Sequence, residues 1–373
     1  MQKFINKFEQ NKALWPTAII TGIALRIVFT LLLDDVGDML NFFDSGSFVA
    51  AGKNIYASTK YYNYGPVMSI LLGFMRRISA YFANDRLAFR LMFTSLLTVS
   101  DFMTALLVSK KAGKFWGAVF FLNPVSIHVA VSKQQFDSLA FMFAAYGVHY
   151  IEESSKHEKL SSHDILGILF LSLSLTTKHF MAAFPAWILL NSNINTRKKF
   201  LYAFVPAVLF LMSFVPYLPE GWQGIRDNVF LYRSAKNFPL LALGVMKHLG
   251  ISAAGPVERA SFPLFVMLMI LLGYIFRREK VYNSFMLYSA AVVCCSSGIF
   301  HQYFILPVMA LTLYPSWLTL IYFLIYLVRP YPISLFTGVS FFVIREYLYI
   351  PLIWCLVLWL VKYYRHRKII REP

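Results

Sequence analysis

Four carboxylates, Asp34, Asp35, Asp38 and Asp44, fall within eleven positions just after the first long apolar run of the chain. Asp34 and Asp35 read most simply as a solvated loop top. Asp38 and Asp44 stand among Phe42, Phe43 and Phe48, a poor neighbourhood for mere solvation. A carboxylate in such a place can take a proton from a hydroxyl that comes within hydrogen-bond reach. Further on, Lys178-His179 interrupts an apolar run, where a cation pair has no simple packing use, and His301-Gln302-Tyr303 closes another. Converging cations are what a phosphate leaving group requires, because negative charge builds on its oxygens as the bond breaks. Lys178, His301 and Arg233 are therefore candidate phosphate contacts. Arg226, Lys236 and Lys247 read better as lipid-headgroup contacts.

Other polar residues in apolar runs must find partners. A charge near a bilayer centre costs at least ~2.5–3.5 kcal/mol, so it faces protein or water. Asp101, in the middle of TVSDFMTALL, is expected to pair with Arg26 or Arg90, with catalysis as the alternative. Asn123-Pro124 should end one helix, and the chain turns back at SKQQFD. There Gln135 and Asp137 either cap the next helix or hydrogen-bond an acceptor.

The elements that position these residues follow from composition. Of 373 residues, 58% are hydrophobic and 14% charged, too apolar for a water-soluble core and wrong for disorder, coiled coil, collagen-like or disulfide-stapled chains. The expected fold class is an all-α polytopic membrane protein, one integral membrane domain over residues 1–373. The net charge of +17 is explained by topology rather than nucleic acid, because basic residues gather on the cytoplasmic side. Placing the basic clusters and both termini inside gives about twelve transmembrane helices (10–13). These lie roughly at 13–33, 87–109, 115–131, 136–151, 164–178, 179–191, 200–217, 261–276, 282–300, 303–327, 333–344 and 350–363. The short ones are expected to be broken helices meeting inside the protein. The first run, 14–33, reads as a retained span without a small-residue cleavage site.

This topology leaves two long outer loops, 34–86 and 218–260, short cytoplasmic loops, and a basic cytoplasmic tail at 362–373. The first outer loop is predicted to carry interfacial amphipathic helices over 38–51, capped by Gly52, and over 66–82. Between them, Tyr61, Tyr62 and Tyr64 lead into Gly65-Pro66. Cys294, Cys295 and Cys355 sit in apolar stretches and read as buried, unpaired side chains. No Gly-rich strand-to-helix turn marks a nucleotide site.

The order of FDSGSFVAAGKNIY, YNYGP, RLMFTSLLTVSDFMTALLV, FFLNPVSIHVAVSKQQFDSLAFMF, LSLTTKHFMAAFPAWILL and GIFHQYFILPV resembles the membrane-embedded glycosyltransferases of the GT-C superfamily, which use polyprenyl-phosphate sugars. It is most similar to the GPI mannosyltransferase family that adds the first mannose, and to bacterial relatives. The resemblance is good over about 25–190, thin over 200–280, and returns near 300. Aligned on Asp44 and Gly52, the second acid of the family's Asp-x-Asp pair falls on Asp38 and the first on Val36. The broken pair gives no support to a divalent metal, and no cofactor is expected. It is similar instead to members in which one loop Asp is the base.

The resemblance implies transfer of a hexose, mannose or glucose, from a polyprenyl-phosphate donor to an acceptor hydroxyl on the outer face, with inversion. Asp38 would be the base, Lys178, His301 and Arg233 would hold the phosphate, and Asp44, Tyr64, Gln135, Asp137 and Gln302 would contact acceptor or sugar. The acceptor is a glycolipid, a glycan or a protein, and the bacterial plasma membrane is favoured over the ER. A transporter or flippase for a lipid-linked sugar, and a non-catalytic subunit of a glycosylation complex, are the alternatives.

Overall fold

A computed structural model of the chain describes residues 2–33, 37–155, 157, 159–231, 254–296, 301–327 and 341–371, and these are helical with no strand among them. A short amphipathic helix, α1 (Gln2–Gln10), leads into α2 (Leu14–Leu32). Its 19 residues rise about 28 Å, close to the thickness of a hydrocarbon core. Ile20, Val28 and Leu32 point outward while Gly22, Arg26 and Thr30 are buried. Apolar residues outside and the charge inside is the reverse of a helix bathed in water.

Next come α3 (Gly37–Ala50), the single turn α4 (Ile55–Ser58) and α5 (Pro66–Ser79). The two helices predicted at 38–51 and 66–82 are both present. Gly52, at φ +74°, takes the chain out of α3 in a conformation that a Cβ would oppose. Met68, Leu72 and Met75 of α5 are buried against the protein, whereas Ile70 and Phe74 remain exposed on its other side. That second apolar face suits a helix lying at a membrane interface. Arg76 fastens the layer, donating to Ser47, pairing with Asp85 at 3.0 Å and stacking on Phe43.

Asn84 caps α6 (Asp85–Ala112), which ends on Lys110 and Lys111, each charge complementing the helix dipole at its end. Then follow α7 (Lys114–Leu122), α8 (Pro124–His128) and a π-helical turn, Val129–Lys133. The break falls at Asn123-Pro124 as the sequence predicts. The next helices are α9 (Asp137–Ser154), α10 (Ser162–Thr177), α11 (Phe184–Leu190), α12 (Thr196–Met212) and α13 (Leu218–Gly224). The rest comprises α14 (Ala254–Ile275), α15 (Val281–Cys295), a 3₁₀ turn (His301–Ile305), α16 (Val308–Leu313), α17 (Trp317–Leu327) and α18 (Phe341–Arg371).

Among the described residues four helical stretches are long and apolar enough to cross a membrane: Leu14–Leu32, Asp85–Ala112, Lys114–Lys133 and Thr196–Phe230. A fifth is added if Ser162–Thr177 and His179–Leu190, bent by 116° at Lys178, count as one span. The protein is thus an all-α membrane protein with several spans. Full-length helices are fewer than the twelve expected crossings because several apolar runs are divided into short helices, as in 303–327, split by Tyr314 and Pro315. The expected span 333–344 lies largely outside the described residues.

Two apolar clusters organise the interior. One gathers α9, α10, α11, α15, α16, α17 and α18, and holds Cys295 and Cys355 as free thiols. The other is built from the first loop itself: Met39, Phe42, Tyr56, Tyr62 and Leu72 pack with Phe89, Phe93, Phe136 and Phe214. Residues 37–86 of the first loop are therefore a folded layer with its own core. Of the basic cluster 197–199, Lys198 turns inward, 2% exposed, to pair with Asp164 at 3.1 Å.

Candidate functional site

The π-helical turn after α8 shifts the register of the chain by one residue, and Gln134 then adopts the left-handed region at φ 45° and ψ 49°. For a residue with a Cβ this costs about 1–2 kcal/mol, so the surroundings must hold it. They do: Gln134 is buried and its Nε2 donates to the Thr94 hydroxyl at 3.2 Å. The consequence of this kink is that Gln135, Phe136 and Asp137 face α3 and the break after α10 together.

Gln135 Nε2 donates to Asp38 Oδ2 at 2.9 Å, and its Oε1 accepts from the Tyr64 hydroxyl at 3.4 Å. Beside it, Lys178 Nζ lies 2.7 Å from Asp137 Oδ2, with both side chains buried. Three rings surround that ammonium: Tyr64 at 5.6 Å, Phe136 at 5.7 Å and Tyr303 at 5.0 Å, each to the ring centroid. Lys178 occupies the apex of the 116° bend, in extended backbone between α10 and the 3₁₀ turn His179–Met181. Gly65 lets the Tyr-rich loop reach it. A Cβ there would stand 2.0 Å from the Thr176 carbonyl oxygen, so the loop lies directly on the last turn of α10. Tyr56 and Tyr62 brace the loop by donating to the carbonyls of Tyr64 and Gly65, and burial raises both phenols.

Behind this face lies a second polar network. Arg26 donates to Asp101 at 2.9 Å, to the Ser126 hydroxyl and to the Phe121 carbonyl, and Ser126 donates to Asp101. Asp101 thus pairs with Arg26, one of the two expected partners, and is fully enclosed by α2, α6 and α8. Arg90, the other, holds the last carbonyls of α2, those of Thr30 and Leu33.

The structure brings together Asp38, Tyr64, Gln135, Asp137 and Lys178, five of the nine residues singled out in the sequence. Gln302 is half-buried on the 3₁₀ turn whose next residue, Tyr303, contacts Lys178. Asp44 lies apart from them, exposed, farther along α3. His301 begins that 3₁₀ turn, but its side chain and all of Arg233 lie outside the described residues. Two expectations change in detail. Lys178, singled out with His179 as a candidate phosphate contact, is already paired with Asp137. Asp137 caps no helix: it is the first residue of α9, and its Oδ1 is buried without a hydrogen-bond partner among the described residues. Phe136 and Tyr303, which wall the ammonium, and Gln134, which sets the kink, carried no sequence signal beyond their place in the QQFD and HQY segments.

Chemically the arrangement offers an exposed carboxylate with one oxygen held by an amide and the other, among the described residues, open to a proton. It also offers an ammonium in a largely apolar wall, where attraction for a phosphate oxygen is strong because water is scarce. Among the described residues no three His, Cys, Asp or Glu side chains group so as to hold a metal ion. No family model, no curated protein and no solved structure matches the chain.

Proposed function

We propose that this protein is a membrane-embedded glycosyltransferase that moves a hexose from a polyprenyl-phosphate donor to an acceptor hydroxyl. The observation that carries the reading is the convergence of Asp38, through Gln135 and Tyr64, with Lys178 at a break between apolar helices. A phosphate-linked sugar has a good leaving group and needs a cation and a base, and both are here. In the reaction the acceptor oxygen bonds to the anomeric carbon from the face opposite the phosphate. The carbon–oxygen bond to phosphate breaks with its electron pair going to phosphate, and Asp38 takes the acceptor proton. Lys178 moves part of its charge from Asp137 to the departing phosphate, with His301 and Arg233 as further phosphate contacts. The proposal includes a GT-C-like arrangement of about twelve spans, cytoplasmic termini, the site on the outer face, and a bacterial plasma membrane.

The test is transfer by purified, reconstituted protein offered labelled polyprenyl-phosphate mannose or glucose, the matching nucleotide sugars, and a lipid and glycan extract. Label should move only from the lipid donor. Asp38→Asn should reduce turnover by two to four orders of magnitude, the span of a general base, while leaving donor binding intact. Full activity in this variant removes Asp38 as the base. The bend at Lys178 also suits a transporter, whose sites are often formed by discontinuous helices. Lipid-linked sugar crossing the vesicle membrane without transfer would establish that reading instead.

A further inference from the structure

Two turns along α3 from Asp38, a groove of about 360 Å³ opens between α3 and the end of α4, lined by Asn41, Asp44, Phe48, Ser58, Thr59 and Tyr61. At 3.6 residues per turn, Asp38, Asn41, Asp44 and Phe48 fall within a sector of about 120°, so the groove and the proposed base share one face of one helix. Asp44 is about 9 Å along the axis from Asp38, and Phe48 about 15 Å.

The lining has a definite chemical character. Asp44 is exposed and accepts only; no ion pair engages it among the described residues. Asn41 offers both a donor and an acceptor. Ser58 spends its proton on the Asn54 carbonyl at 2.7 Å and keeps lone pairs for a ligand. The Thr59 oxygen accepts from the Tyr61 N–H at 3.1 Å, which leaves its own O–H to donate. Two rings, Phe48 and the 63% exposed Tyr61, supply apolar faces, with the flexible ammonium groups of Lys53 over Phe48 at 5.9 Å and of Lys60 over Tyr61 at 5.5 Å leaving the opposite faces for a ligand. A lipid chain would find too many unmet polar groups here. A ligand that alternates hydroxyls with C–H faces meets each of them.

We propose that this groove is the acceptor subsite and that the acceptor is a saccharide, which lies along α3 with its terminal hydroxyl at Asp38 and its following units between Asp44 and the rings of Phe48 and Tyr61. This rests on the glycosyltransferase reading, whose acceptor class it specifies. Asp44 and Asn41 hold ring hydroxyls, and Tyr61 and Phe48 stack on sugar faces.

The test has a binding arm and a transfer arm, both with the full chain in nanodiscs. Mannotriose and maltotriose are titrated without donor and followed by saturation-transfer NMR. At least one should bind saturably to the wild type and roughly tenfold more weakly to Asp44→Asn and to Tyr61→Ala. Absence of binding, or equal binding by the groove variants, overturns the proposal. In the transfer arm, label should pass from the lipid donor to the bound trisaccharide with a raised acceptor KM in Tyr61→Ala. Transfer only to a peptide or to a sugar-free lipid overturns the acceptor assignment and leaves the enzyme. Saccharide binding without transfer from lipid donor to any acceptor overturns the enzyme reading, and the acceptor role with it.

Discussion

Lys178 belongs both to a buried ion pair and to the proposed phosphate site, and the two roles respond differently to substitution. Taking both charges out of water is costly, and the pair is repaid only by close geometry, here 2.7 Å to Asp137. Removing one partner leaves the other uncompensated. Lys178→Met should therefore lower stability by about 3–5 kcal/mol and abolish donor binding. Adding Asp137→Leu should recover most of the stability, because a buried pair exchanged for apolar side chains is close to neutral. It should not recover transfer. Thermal unfolding in detergent alongside donor binding separates the two, and a double variant that transfers normally would make the pair purely structural. The charged members of this site were visible in the sequence because an ionisable residue in an apolar run has few bland uses. Tyr303 and Phe136 were not: among 36 Phe and 22 Tyr a single ring carries no signal until the fold sets it over a cation.

At the scale of elements, the site depends on the loop before α5 touching the end of α10. Both helices of the first loop were legible, α3 from its spaced aromatics and terminal Gly52, α5 from Gly65-Pro66 and its amphipathic spacing. The bend of 116° at Lys178 was legible only as an apolar run too short to cross, since its angle is set by packing against α5 and α9. The contact that joins them is the bare Cα of Gly65 beneath the Thr176 carbonyl. A methyl there has no space, and a backbone carbonyl cannot rotate away as a flexible side chain can. Gly65→Ala should cost about 1–3 kcal/mol, the usual range for overpacking. Because the loop must lift, Tyr64 should also leave Gln135 and Lys178. Transfer is thus expected to fall far more than the folded fraction does at the assay temperature. A loss of activity no larger than the loss of folded protein would show that this contact only stabilises.

For the whole molecule the question is which side of the membrane each polar cluster occupies. The helices separate two groups of polar residues: one with Asp38, Lys178 and the α3 groove, the other with Lys110, Lys111, the Asp164–Lys198 pair and the loop after α9. Basic residues dominate the second, which the positive-inside rule assigns to the cytoplasm. The three native cysteines are free and lie within the apolar interior, Cys294 partly and Cys295 and Cys355 fully buried, so a membrane-impermeant maleimide should find little to react with in the wild-type chain. That permits single reporters at exposed positions away from the site. Ala83→Cys, beside the start of α6, should be labelled on the face that carries the proposed chemistry. Lys159→Cys and Arg197→Cys should be labelled only after the membrane is opened. Labelling of Ala83→Cys and Lys159→Cys from the same side would mean that the crossings between them are even in number, not the three expected. It would also place the basic clusters on opposite sides of the membrane. The donor sugar would then have to be sought in the other leaflet, even with the Asp38–Gln135–Lys178 geometry unchanged.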